Sequence, residues 1–94
     1  MIICAAIKIQ MNNLDHPTIV TCHRHGDGFG IIKDLVQDRS CYKEVAQGFI
    51  TDEGIFMDRR SAFIHACQCG QLSQTTKWYK QDHNDFELYS EDLY

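Results

Sequence analysis

Residues Gly48–Phe63 read GFITDEGIFMDRRSAF, and this stretch decides the fold. Gly48-Phe49-Ile50-Thr51 and Ile55-Phe56-Met57 are short runs of β-branched and aromatic residues, the composition that fits a pleated, half-buried surface. Asp52-Glu53-Gly54 between them predicts a tight turn, because its glycine can take the positive φ such turns need. Asp58 then stands where a helix N-cap belongs, and Ala62, Phe63, Ala66 and Cys67 follow at spacings that share one helix face. Gly70 is placed to end that helix. The whole reads strand, turn, strand, cap, helix.

The same order of elements occurs earlier in the chain. MIICAAIKIQ, residues 1–10, is apolar at both parities and predicts a strand buried on both faces for most of its length. MNNLDHP carries the turn formers Asn12, Asn13, Asp15 and Pro17, and TIVTCHRH returns as the second strand of a hairpin. Beyond Gly26 the period changes: Phe29, Ile32, Leu35 and Val36 recur at three- and four-residue intervals, as an amphipathic helix requires. Asp27 sits where its N-cap would be, the helix is expected to end within Gln37–Ser40, and Cys41–Gln47 reads as a connector. The predicted fold class is therefore α+β: a small single domain over 1–94, built of two β-hairpin-plus-helix units with an antiparallel sheet. The first unit is 1–40 and the second 48–72. Residues 73–94 read as a polar aromatic tail, although Trp78, Tyr79, Phe86, Leu88, Tyr89, Leu93 and Tyr94 are many apolar groups for a tail, so some of them should pack on the body or on a neighbouring subunit.

Composition narrows the function classes. At 94 residues the chain has room for one small core and no second domain. A formal net charge of −4 leaves no broad basic surface of the kind duplex DNA requires, so any anion must be held locally. No apolar run approaches the roughly 20 residues of a membrane span, and no basic region precedes the apolar start, so a cytosolic protein is expected. The five cysteines are odd in number with one close pair, Cys67-x-Cys69, a pattern that suits reduced thiols better than a disulfide framework.

CHRHGDGFG, residues 22–30, concentrates the reactive groups. A closed zinc site wants four ligands in two close pairs, and neither Cys22-His23-Arg24-His25 nor Cys67-x-Cys69 has that form, so no metal is expected. A Cys22–His23 nucleophile pair is disfavoured because neighbours on a strand point to opposite faces. His23 and His25 would share a strand face and could serve as acid and base on a phosphodiester, but that design normally repeats its histidine motif at two places and here it occurs once. Anion binding has more behind it. A helix N-terminus offers unpaired N–H groups, glycines let a phosphate come close, and Arg24 adds a planar fork. The second unit repeats the arrangement, with Asp58, Arg59 and Arg60 at a helix start beside Phe49 and Phe56. An arginine with an aromatic ring can hold a purine and its phosphate. The plainer alternative is that the glycines only let a strand turn into a helix while both aspartates cap.

The opening strand MIICAAIKI, the CHRH segment, the central GFITDEGIFMDRRSAF and the closing ELYSEDLY together resemble small phage proteins, and in particular the first-described family of phage anti-Thoeris sponges, which sequester cyclic-ADP-ribose-type signals. The resemblance implies antiparallel strands with two helices, and a homo-oligomer, dimer or hexamer, holding ligand between subunits. It implies capture without turnover, no cofactor, and action in the cytoplasm of the infected bacterial host. Carried onto this sequence, it makes Arg24 a contact to pyrophosphate or ribose; His23 and His25 beside it would then be pocket wall or mere strand surface. Phe49 would stack on adenine, and Asp58 and Arg59 would be polar contacts at the second helix start. A cation near the carboxyl end is also implied, which Lys77 or Lys80 would supply, Lys80 being the one assigned to the site.

The leading expectation is thus a non-enzymatic protein that binds and sequesters a cyclic nucleotide immune messenger, a cyclic ADP-ribose isomer or a cyclic oligonucleotide. Two alternatives stand beside it: a phosphodiesterase that degrades such a messenger with His23 and His25, and a phage protein that binds a host protein through its aromatic tail.

Overall fold

The computed structural model describes residues 1–36 and 38–93. Gln37, placed at the expected helix end, and the tail aromatic Tyr94 lie outside the described residues. The first strand, β1 (Ile2–Met11), forms an antiparallel hairpin with β2 (Thr18–Cys22), and β1 is also the antiparallel neighbour of β3 (Tyr42–Thr51). β3 turns back into the short β4 (Phe56–Asp58), so the two hairpins join into one four-stranded sheet ordered β2-β1-β3-β4. The helices α1 (His25–Leu35), α2 (Arg59–Gln68) and α3 (Gln74–Asp82) follow β2, β4 and α2 respectively. The fold class is the expected one, mixed α+β with a single antiparallel sheet.

Register explains why the core lies on one face. Ala5, Ile7 and Ile9 of β1 alternate inward with Cys22 and Val20 of β2 and Phe49 of β3, and all of these meet the helices. Ile32 of α1 seals one end of this layer, while Ala62 and Ala66 of α2 close over Phe49 at the other. The opposite face of the sheet carries Ala6, Lys8, Ile19, Thr21, Ile50 and Phe56, and the Lys8 ammonium lies 4.6 Å from the centre of the Phe56 ring.

The hairpin predicted from the central stretch is present. Gly54 takes φ of 78°, and the Thr51 and Ile55 backbones close the turn at 3.0 Å. Asp58 caps α2, its carboxylate accepting from the Ser61 N–H at 2.8 Å, and Gly70 leaves the helix with φ of 70°.

Four expectations are corrected. Asp27 does not cap α1; the N-cap is Arg24, whose extended backbone places Asp27 in the first turn, where a carboxylate still favours the helix dipole. His23 and His25 do not share a strand face, because β2 stops at Cys22 and His25 is already helical. The supposed connector Cys41–Gln47 is mostly strand: β3 begins at Tyr42, and its Tyr42 ring packs on the Ile7–Ile9–Ile32 cluster. The polar start of the tail is α3, capped by Ser73, whose hydroxyl accepts from the Thr76 N–H at 3.1 Å. The remainder of the tail lies on the body, with Leu88 fully buried in the core and Ser90 nearly so.

Candidate functional site

The end of β2 and the beginning of α1 build one wall of a cleft. Gly28, the fourth residue of α1, brings the helix so near the sheet that a β-carbon there would come within 2.7 Å of Cys22 Sγ and 2.8 Å of Ile7 Cδ1. Close packing at Gly28 fixes the helix start, and with it Arg24 and His25. Arg59, the first residue of α2, and the returning segment Tyr89-Ser90-Glu91 form the facing wall, enclosing about 430 Å3.

His25 ties these walls together. It is buried, its Nε2–H donates to the Gly48 carbonyl at 2.7 Å, and its Nδ1 lies 2.9 Å from Ser90 Oγ. A carbonyl only accepts, so Nε2 carries a proton, and in the neutral ring that burial favours Nδ1 accepts from the Ser90 hydroxyl. The same Ser90 oxygen accepts from the His25 backbone N–H at 3.4 Å. Burial holds the His25 pKa below its ordinary value; the Arg59 charge pushes the same way, while the Gly48 hydrogen bond and Glu91 oppose them. Phe49 stands beneath, its ring edge-on to the imidazole at 5.0 Å between centres.

Arg59 is half-buried and held on three sides. Its guanidinium donates to the Leu88 carbonyl at 2.9 Å and to Gln47 Oε1 at 2.5 Å, and it lies 4.9 Å from the centre of the Tyr89 ring. Its own backbone carbonyl accepts from Leu88 N–H at 2.9 Å, so arginine and segment fix each other. A guanidinium has five N–H donors, and the two bonds named leave donors to turn towards the cleft. Arg59 also lines a neighbouring cleft of about 380 Å3 with Asp58, Arg60, Glu44 and Glu87.

The structure therefore brings Arg24, His25 and Arg59 to one cleft and sets Asp58 in the adjoining one. Among the other expected site residues, His23 is exposed at the strand end. Phe49 is 0% exposed, so its ring has no free face for a base; it supports His25 instead. Lys80 is 2% exposed and turned inward. Its ammonium donates to the Glu87 carbonyl at 2.6 Å, pairs with Asp92 at 2.8 Å and Asp85 at 3.4 Å, and lies 4.8 Å from the Tyr89 ring centre. Lys80 thus holds the Tyr89 segment in place rather than reaching a ligand. Tyr89, Ser90 and Gln47 are the members that residue-by-residue reading misses. The only trace of Tyr89 and Ser90 in the sequence is the surplus of apolar groups in ELYSEDLY, which shows that the segment packs but not where, and Gln47 is hidden in the stretch that reads as a connector.

Among the described residues, no three His, Cys, Asp or Glu side chains gather closely enough to hold a metal ion, and no helix is long and apolar enough to cross a membrane. The family model for phage T4 y16D protein matches residues 1–94. The chain belongs to the phage T4 y16D protein family. The y16D match spans both hairpin-helix units and the returning segment, so every residue of the cleft lies within it. No curated protein and no solved structure matches the chain.

Proposed function

We propose that this member of the y16D family is a phage anti-defence protein that captures a phosphate-bearing cyclic nucleotide signal, of the cyclic ADP-ribose or cyclic oligonucleotide kind, and holds it uncleaved in the cytoplasm of the infected bacterium. The observation that carries this reading is the convergence of Arg24 and Arg59, from two different units of the fold, on one cleft at the start of α1. Two guanidinium groups suit phosphate oxygens, and the volume falls within the roughly 300–1,000 Å3 of small-molecule sites. Asp27 and Glu91 on the same walls favour a ligand that also brings hydroxyl donors, as ribose does, over a bare polyanion. A homo-oligomer belongs to the proposal, because a second chain would enclose more of the ligand than this open cleft can.

Capture is favoured over hydrolysis by the state of His25. A general acid–base pair needs ring nitrogens free to exchange protons with substrate, and both His25 nitrogens are engaged within the fold. The host-protein reading has one observation in its favour: Trp78 and Tyr79 of α3 and the nearby Phe86 are 60%, 59% and 47% exposed, and exposed aromatics are typical anchors of protein interfaces.

Incubation with cyclic ADP-ribose isomers and cyclic oligonucleotides, followed by heat denaturation and analysis of what returns to solution, separates these readings. Intact nucleotide released on heating is the expected result. A linear or hydrolysed product overturns capture in favour of the enzyme, and no depletion of any nucleotide favours the protein partner. Arg24→Ala should weaken nucleotide binding by about tenfold or more with little loss of folding, in keeping with the roughly 1.5–3 kcal/mol of a charge-assisted hydrogen bond. Unchanged affinity would remove Arg24 from the site.

A further inference from the structure

The sheet has two edges, and they are built differently. At one edge β4 is only three residues long, ends at Asp58 and runs straight into α2. Because β4 pairs only with Gly48–Ile50, the outer side of the first half of β3 is also an edge; there Lys43 and Glu44 are exposed and the pairing with β1 is irregular between Lys8 and Ile9. Short length, charge and irregular register are the devices by which proteins keep strand edges from pairing with other chains. The opposite edge, β2, has none of them. It is five residues, Thr18-Ile19-Val20-Thr21-Cys22, all of them strand-favouring or apolar and none charged, in unbroken register with β1. Among the described residues no strand pairs with its outer side.

We infer that β2 is a self-association edge, pairing antiparallel with β2 of a second copy about a two-fold axis at Val20 and doubling the four-stranded sheet into one continuous sheet. Two-fold pairing there is self-complementary. Val20 meets its own counterpart on the helix-covered face, and on the uncovered face Ile19 lies opposite the partner's Thr21. Thr18 lies opposite the partner's Cys22, so no charge meets a like charge anywhere along the paired strands. A centre at Lys43 or Glu44 of β3 would instead oppose like charges. The pairing stands whether or not a nucleotide binds, and it places the partner's β1–β2 turn beside the mouth of the Arg24 cleft.

Sedimentation equilibrium of the full chain over a range of concentrations tests the pairing. The expected mass is twice the 10.9 kDa of one chain. Ile19 and Thr21 face away from the helices, so the double variant I19K/T21K sets lysine opposite lysine without entering the core. It should weaken self-association by about a hundredfold, as apposed like charges do, while keeping the wild-type circular dichroism and melting temperature. The variant I19E/T21E should also be monomeric, and an equimolar mixture of the two should regain the dimer through Lys–Glu pairs. A wild-type chain that stays monomeric throughout overturns the inference, as does a folded lysine variant that remains dimeric. So does failure of the mixture to re-form the dimer. Should the lysine variant lose its circular dichroism signal, T21K alone, at an exposed position, makes the same comparison. Nucleotide depletion by the monomeric variants separates this pairing from ligand capture.

Discussion

His25 is a histidine whose burial favours the neutral ring. Its Nε2 proton is given to Gly48 and its Nδ1 lone pair to Ser90, while burial depresses its pKa below the ordinary 6.5. As pH falls, the unfolded chain therefore takes up this proton before the folded chain does. The His25 contribution to stability is complete above about pH 6.5 and is lost as pH falls from there through the lowered folded value. Asp38, Asp52 and Asp58 are also held below their ordinary 3.8, by hydrogen bonds to Ser40, the terminal amine and Ser61 respectively, so their losses come at lower pH. Urea midpoints measured between about pH 7 and pH 5 should thus decline in the wild type. In His25→Gln they should be flat and lower throughout, by roughly 1–3 kcal/mol for the lost buried bonds. A wild-type profile as flat as the variant's would show that His25 titrates alike in both states.

At the scale of elements, two of the three glycines of α1 have opposite consequences. A methyl group at Gly28 would strike Cys22 Sγ and Ile7 Cδ1, whereas nothing lies within 4 Å of one at Gly30. Gly28→Ala should cost roughly 1–3 kcal/mol through overpacking, and Gly30→Ala should gain about 0.5–1 kcal/mol through helix propensity; thermal melts of the two variants should move in opposite directions. Sequence reading locates the helix but not this difference, because the strand that approaches Gly28 is brought there by tertiary packing. The same limit explains β3. The hairpin over 48–58 is legible from Asp52-Glu53-Gly54 alone, a local signal, but the half of β3 before it is defined by pairing with Met11–Lys8, some thirty residues away. Its charged Lys43-Glu44 pair hides the strand behind a loop-like composition. Helix α3 is concealed in the same way: Ser73 supplies a cap, yet Gln74, Thr75 and Thr76 mask the turns that follow, and its buried residue is a lysine.

Across the whole molecule, the Leu88–Asp92 segment acts as a closing member. Leu88 joins the core formed by Ile2, Phe49 and Ala62, Ser90 reaches His25, and Asp92 meets both Lys80 and the Tyr89 N–H. Leu88→Ala should therefore cost roughly 2–5 kcal/mol in urea denaturation. It should also weaken nucleotide capture, because Leu88 is bonded through its backbone to Arg59 and the cleft wall follows directly behind it. A loss no larger than about 0.5 kcal/mol, the scale of a surface substitution, would place Leu88 outside the core. The candidate site was legible in proportion to how local it is: Arg24 and His25 stand together in the chain, Arg59 shows as a helix start, and the Tyr89–Glu91 part of the facing wall becomes visible only when the chain folds back.

That return has a bearing on how the protein is made. The first strand is central in the sheet, and its opening residue is clasped by the Gln71 amide, which accepts from Ile2 N–H at 2.7 Å and donates to Ile2 C=O at 2.9 Å. Ser90 then closes on His25, 65 residues earlier. On the ribosome the apolar β1 emerges ahead of every element it packs against, and its clasp by Gln71 must wait until 69 more residues are made. The nascent chain thus keeps an apolar strand incompletely covered over that span, and synthesis should reward rapid elongation or a chaperone that shields the emerging β1–β2 hairpin.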